Sequence, residues 1–320
     1  MRILRTISRR AVLLGALLLL SCGGSGPRPE AGASADAEWI RAMKAGRSAF
    51  SRGDLDPAVR FFETALSRGR AMDDPAAIVD AAYNLAAVRM ARGEYPAARR
   101  LLRDAEAESA RTGGPPGDLL LLLARTAWRM DDPGEALRLT DRLIGSSGTS
   151  GGNLVRQALL LRGRIACERG DGERARAELA KADETGGGPD PATQAFRSGL
   201  SGCILRLSGD AAVAASEFDR EAERFREAGL YRNMGDALSR AGAAWSGAVR
   251  PSEAADRWFR AARAFFALGD LPRANDLAKR SLAAATRAKN PSLAERNRAL
   301  MNELAEAASP GAPTPGIDSR

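Results

Sequence analysis

Tyr83-Asn84-Leu85-Ala86-Ala87-Val88-Arg89-Met90-Ala91-Arg92-Gly93-Glu94-Tyr95-Pro96-Ala97-Ala98 decides the fold. It reads as a helical stretch, a turn at Gly93-Glu94-Tyr95 and a second helix whose fourth residue is Ala98, continued by Leu102 and Ala105. The same phrase recurs on both sides. Its turns are Gly53-Asp54-Leu55, Asp131-Asp132-Pro133, Gly170-Asp171-Gly172, Gly209-Asp210-Ala211, Val249-Arg250-Pro251 and Gly269-Asp270-Leu271. The alanines after all seven turns are Ala58, Ala98, Ala136, Ala175, Ala214, Ala254 and Ala274, spaced by 40, 38, 39, 39, 40 and 20 residues. A period held over five steps is the signature of a solenoid, in which each unit buries its apolar face against its neighbours.

The phrase resembles the tetratricopeptide (TPR) repeat. The resemblance rests on Tyr83-Asn84-Leu85-Ala86 with Gly93-Glu94-Tyr95, Ala98, Leu102 and Ala105. It is repeated in Gly46, Gly53-Asp54, Ala58, Phe62 and Ala65-Leu66, and in Trp258, Ala262, Phe265, Gly269-Asp270, Ala274 and Leu282. Small residues let the two helices of a hairpin approach closely, and large ones fill the space between. The family unit is about 34 residues, so units of 38–40 residues carry longer helices or loops. Asp131 and Val249 stand where the turn glycine is usual. The resemblance covers roughly residues 38–307 and implies an all-α, right-handed solenoid of about seven helical hairpins with a C-terminal capping helix.

Helices are predicted over 38–51, 55–69, 75–91, 95–111, 117–130, 133–144, 153–169, 172–184, 191–207, 211–228, 231–248, 252–268, 272–289 and 291–307. Asp56-Pro57, Asp74-Pro75, Asp132-Pro133, Asp190-Pro191 and Asn290-Pro291 place a capping side chain before a proline at the first helical position. Gly69, Gly113, Gly145, Gly186 and Gly229 suit C-terminal stops. The paired acids Asp73/Asp74 and Asp131/Asp132 read as caps rather than as a catalytic carboxylate pair. The last helix reads as a cap on the stack, with Leu293, Leu300, Met301 and Leu304 inward and Glu295, Arg296, Arg298, Glu303 and Glu306 outward. Residues 308–320 read as a disordered tail.

The amino terminus supplies an address. Arg2, Arg5, Arg9 and Arg10 stand without an acid before ten apolar residues, Ala11–Leu20, and then Ser21-Cys22-Gly23-Gly24. A charged region, a short apolar run and a small residue describe a signal peptide over 1–21; the run is too short to span a membrane as a helix. Leu19-Leu20-Ser21-Cys22 resembles the bacterial lipobox, which implies acylation of Cys22 and cleavage before it. Two acyl chains anchor where one would hold only marginally. Gly23 after the cysteine implies, by the same resemblance, sorting to the outer membrane, facing the periplasm. Ser8-Arg9-Arg10-Ala11-Val12-Leu13 resembles a degenerate twin-arginine export motif, which leaves the export route open. Residues 22–37 are Gly/Pro/Ala/Ser-rich and read as a flexible tether.

Removing residues 1–21 takes away four arginines and no acid, so the formal charge falls from +8 to +4. A pI near 10 invites nucleic-acid binding, and the loss of half the basic excess removes most of that case. Enzymatic chemistry is equally thin. The 320 residues contain no histidine, which excludes Ser-His and Cys-His nucleophile pairs and His-ligated metals. No phosphate loop or dinucleotide fingerprint is present. Gly148-Thr149-Ser150-Gly151-Gly152 spells a nucleophile elbow, but in a Gly/Ser linker without a preceding strand. No catalytic or metal-binding residues and no cofactor are expected. Cys167 and Cys203 lie in the first helices of consecutive units. An oxidising envelope permits a disulfide, yet helix-to-helix spacing leaves the Cα separation open, and small buried thiols are the expectation.

What remains is surface. By resemblance to TPR proteins, the first helix of each unit lines a concave groove, here through Arg47, Phe50, Tyr83, Asn84, Met90, Arg125, Trp128, Arg129, Arg164 and Arg206. Arginines among aromatic and thioether groups suit an extended peptide with acidic groups or a free C-terminus, since guanidinium binds carboxylate bidentately. The expected function is a lipid-anchored scaffold of the bacterial cell envelope that binds protein or peptide partners. The alternative is a lipoprotein that encloses a small molecule or lipid.

Overall fold

Helices in this chain bury their apolar residues mainly against the neighbouring helices in sequence. The computed structural model describes residues 36–146, 152–186 and 190–308. Among them are fourteen α-helices: α1 (Ala37–Ser51), α2 (Leu55–Ala71), α3 (Pro75–Ala91), α4 (Tyr95–Ser109), α5 (Gly117–Arg129), α6 (Pro133–Ser146) and α7 (Gly152–Glu168), then α8 (Gly172–Glu184), α9 (Pro191–Leu207), α10 (Ala211–Glu227), α11 (Tyr231–Gly247), α12 (Pro251–Ala267), α13 (Leu271–Arg287) and α14 (Pro291–Ala307). Consecutive helices pack as hairpins and each hairpin packs on the next, giving the all-α, TPR-like solenoid that the repeat predicts. The segments expected as signal peptide (1–21) and tether (22–35), with Cys22, Gly148–Gly151 of the elbow-like spelling and residues 309–320 of the expected tail lie outside the described residues. No helix among the described residues is long and apolar enough to cross a membrane.

The seven marker alanines, Ala58 through Ala274, are all 0% exposed. Each is enclosed in the hairpin interior. Two recurring positions flank each marker. Twelve residues before it stand Gly46, Ala86, Ala124, Gly163, Gly202, Gly242 and Ala262; four after it stand Phe62, Leu102, Thr140, Leu179, Phe218, Trp258 and Ala278. Where the later position is aromatic, the earlier one is glycine. A Cβ at Gly46, Gly202 or Gly242 would stand 2.6, 3.0 or 2.7 Å from the rings of Phe62, Phe218 and Trp258 respectively. In these three hairpins a methyl group on one helix is exchanged for ring atoms on the other.

The turns close by one hydrogen-bond pattern. Glu94 N donates to Arg89 O at 2.8 Å, Asp132 N to Ala127 O at 2.9 Å, and Arg250 N to Trp245 O at 2.9 Å. This Schellman closure requires a residue with positive φ, which Gly53, Gly93, Gly170, Gly209 and Gly269 supply. Asp131 and Val249, the two departures from the turn glycine, adopt the same conformation with φ of 59° and 58°. Asp73 does so between α2 and α3 (φ 50°). The paired acids therefore divide the work: Asp73 and Asp131 turn the chain, while Asp74 accepts from Ala77 N at 3.1 Å and Asp132 from Glu135 N at 3.0 Å.

Three local expectations are corrected. Asp56 does not cap α2, which begins at Leu55; it accepts from Arg92 Nη1 at 2.6 Å on the next hairpin. Gly69 does not stop α2 but lies inside it, where a Cβ would stand 3.1 Å from Ile78 N, so the glycine lets α3 approach. Gly145 lies inside α6. The last helix faces as expected, with Leu293, Leu300 and Leu304 buried, and Arg296 caps the Phe259 ring with its guanidinium carbon 4.5 Å from the centroid.

The cysteines are also corrected. Cys167 on α7 and Cys203 on α9 form a disulfide with a Cα separation of 6.3 Å. These first helices of neighbouring hairpins approach closely because α7 presents Gly163, where a Cβ would stand 2.6 Å from the Leu200 side chain. The separation falls inside the range that a disulfide spans.

Candidate functional site

The solenoid curls far enough to meet itself. Arg232 at the start of α11 donates from Nε to Ala91 O at 2.9 Å and from Nη2 to Arg92 O at 3.1 Å, across some 140 residues. The turn at Gly93 leaves room for this: a Cβ there would stand 3.1 Å from the Arg232 guanidinium carbon. Arg129, at the end of α5, pairs with Asp236 on α11, which also pairs with Arg273 on α13. Arg232 completes the set with Asp270 at 2.7 Å. Burial alone would raise the Asp236 carboxyl, but Arg129, Arg273 and Arg240 outweigh it and hold the group at about 2.

Inside this closure lies a cavity of about 110 Å³. Its walls come from α1, α3, α5, α7, α9, α10 and α11, with contributions from the first residues of α2 and α4 and from the turns after α1, α10 and α12. Phe50, Met90, Trp128, Leu160, Phe196 and Phe225 provide apolar wall, while five arginines (Arg125, Arg129, Arg164, Arg232 and Arg240) stand against two carboxylates, Glu221 and Asp236. Arg240 pairs with Glu221 at 2.7 Å. Glu168 accepts from both Trp128 Nε1 and Arg164 Nε at 2.8 Å. Burial lowers the pKa of Arg164, and the neighbouring Arg240 charge adds to that effect. Arg125 differs from these. It is buried, donates to Gln157 Oε1 at 2.8 Å, and lies 4.6 Å from the Phe196 ring centroid. Burial pushes its pKa down to about 10.

Of the ten groove residues expected from sequence, Phe50, Met90, Arg125, Trp128, Arg129 and Arg164 line this cavity, and Arg47, Tyr83, Asn84 and Arg206 do not. Asn84 is fully buried in α3 and turns its amide back to Asp80 O at 2.7 Å, so it is not presented to a ligand. Tyr83 is buried as well. Arg206 is exposed near the end of α9, with Nη2 3.9 Å from Cys203 Sγ. Arg47 is half-buried on α1, outside the lining. Gln157, Phe196, Glu221, Arg232, Asp236 and Arg240 were not expected. They line a cavity shared by helices from α1 to α11, and no local pattern encodes contacts over a hundred residues apart. No cluster of three or more metal-ligating residues occurs among the described residues.

No family model and no curated protein matches the chain. Solved structures do. The apo form of the quorum sensor NprR from B. thuringiensis is 12% identical, with 85% of this chain and 89% of that chain covered and a TM-score of 0.53. NprR in complex with its cognate peptide NprX is 13% identical, with 88% and 85% covered and a TM-score of 0.58. A tetratricopeptide repeat protein from Parabacteroides merdae ATCC 43184 is 13% identical, with 84% and 100% covered and a TM-score of 0.45. At these identities the likeness is one of fold.

Proposed function

We propose that this TPR-like solenoid is a lipid-anchored protein-interaction scaffold of the bacterial cell envelope, binding partner proteins or peptides through its arginine- and aromatic-lined interior to assist assembly of an envelope complex. The observation that carries the reading is the interior itself, with five arginines and two carboxylates among aromatic and aliphatic walls. Such a surface suits a segment with acidic groups. The similar fold of NprR, solved with its peptide NprX, supports a peptide as occupant. The Cys167–Cys203 disulfide supports an oxidising compartment, and Leu19-Leu20-Ser21-Cys22 supports the anchor and the periplasmic face of the outer membrane.

The small cavity inside the solenoid favours a second reading, a carrier of a small molecule. The test is crosslinking in cells followed by capture of the membrane-anchored chain, with Cys22→Ala as control. The scaffold reading expects a reproducible partner with the wild type, lost or reduced when Cys22→Ala leaves the membrane. Capture of the chain alone, with a small molecule retained through purification, would replace scaffold by carrier.

A further inference from the structure

We infer that the interior holds a single carboxylate: Arg125 and Gln157 receive the anionic end of a ligand whose short apolar stem packs on Phe196, Leu160 and Leu161. Arg129, Arg164, Arg232 and Arg240 each have a carboxylate partner within the fold. Arg125 pairs with none among the described residues, and its one hydrogen bond is to a neutral amide. It is nonetheless only 6% exposed. A guanidinium buried without an ion-pair partner is a standing cost to the fold, only partly returned by the more distant Asp190 charge and the Phe196 ring beneath it.

Gln157 gives the independent observation. It is 2% exposed, its oxygen is taken by Arg125, and its Nε2 is buried with no acceptor. A buried donor without a partner is as costly as it is rare. Both side chains line the cavity. One carboxylate there supplies the missing charge to Arg125 and the missing acceptor to Gln157.

Size and charge narrow the ligand. A cavity of about 110 Å³ takes a side-chain-sized group, somewhat less than the roughly 150 Å³ that holds a benzene ring. Glu221, also in the lining, is engaged by Arg240 and keeps its Oε2 unpartnered, so a second anion meets repulsion there. The site therefore prefers monocarboxylates with a branched or short linear stem. The group has two sources, a free short-chain acid or the C-terminus of a peptide.

The inference deepens the reading of the interior as a binding surface. Calorimetry on the purified full chain is run with isovalerate, with isovaleramide as neutral match, and with a four-residue Gly-Gly-Ala-Leu peptide carrying a free or an amidated C-terminus. Binding of isovalerate but not isovaleramide supports the site with a free acid as source. Binding of the free-terminus peptide alone supports it with a peptide as source. Arg125→Met weakens either by about 10- to 100-fold, the loss of charge-assisted hydrogen bonds, while its own melting temperature stays at or above wild type because an uncompensated charge has gone. Gln157→Leu weakens binding several-fold as a second, uncharged check. Absence of saturable binding by any of the four probes, or equal binding by both variants, overturns the inference. Partner capture that persists in cells despite that outcome would leave the scaffold reading intact and remove only this site.

Discussion

Asp236 on α11 accepts Arg129 from the end of α5, 107 residues earlier, and that ion pair closes the superhelix. Repeat proteins are quasi-one-dimensional, each unit touching only its neighbours; here Asp236, with Arg273 on its other side, adds a long-range bond to that one-dimensional stack. Removing one member of a buried pair leaves the rest uncompensated. Asp236→Asn should cost about 3 kcal/mol in urea unfolding at neutral pH and enlarge the chain's radius of gyration in solution scattering. Unchanged stability and radius would mean that the closure is not a determinant of shape.

The same residue sets a pH signature. The Asp236 carboxyl sits at about 2 in the folded chain, below the usual carboxylate value of 3.8. A depressed folded pKa stabilises above the unfolded value and loses that contribution as pH falls through the folded one. The stability advantage of wild type over Asp236→Asn should therefore hold steady above pH 4 and shrink between about pH 4 and 2. The shift corresponds to roughly 2 kcal/mol. A difference that vanishes already at pH 6 would assign the titration to another group.

The Cys167–Cys203 bridge closes a loop with a sequence separation of 36 residues. Restricting the unfolded chain to that extent stabilises by about 3–4 kcal/mol in the chain-entropy description. The double variant Cys167→Ala with Cys203→Ala should lose that amount by urea unfolding. Alkylation of the denatured wild type without reductant should leave both cysteines unlabelled, and labelling of either would show free thiols.

Sequence reasoning reached the parts of this fold that are local. The marker alanines, the turn glycines and the helix caps at Asp74 and Asp132 each act within a short stretch of chain, so a single phrase of 20 residues specifies them. Even the departures at Asp131 and Val249 were visible, and the backbone kept its left-handed turn in spite of them. The Cys167–Cys203 distance depends on how closely Gly163 lets α9 approach, which spacing alone does not fix. The interior was half legible for the same reason. Arg125, Arg129 and Arg164, like Arg232, Asp236 and Arg240 on α11, lie on first helices, so the repeat could assign them inward. Asp236, Arg232 and Arg240 meet them only after the solenoid has curled through several hairpins.

Complementary volumes give a prediction inside the hairpins. A Cβ at Gly242 would stand 2.7 Å from the Trp258 ring, which is itself buried. Gly242→Ala gains helix propensity of about 1 kcal/mol but overpacks a filled site at a cost of typically 1–3 kcal/mol. The net should be a loss of up to about 2 kcal/mol, and Trp258→Phe in the same chain should recover part of it. Full stability of Gly242→Ala would show that α11 and α12 separate without penalty.

Val249 is where the chain departs from its own repeat at greatest cost. It holds φ at 58° with a β-branched side chain 82% exposed, so no packing offsets the conformation. Left-handed backbone costs a residue with a Cβ about 1–2 kcal/mol, and branching at Cβ worsens the clash. Glycine removes the clash but loosens the unfolded chain, returning up to about 1 kcal/mol of the gain. Val249→Gly should therefore stabilise modestly, by roughly 0.5–1 kcal/mol, whereas Gly209→Val, at the corresponding turn with φ of 89°, should destabilise by more than that. Asp131→Gly should gain less than Val249→Gly, because a short polar side chain tolerates the left-handed region. The three variants together separate turn strain from any role of the exposed valine in contacting a partner. A Val249→Gly chain that is stabilised yet loses partner capture would place that side chain on the interaction surface.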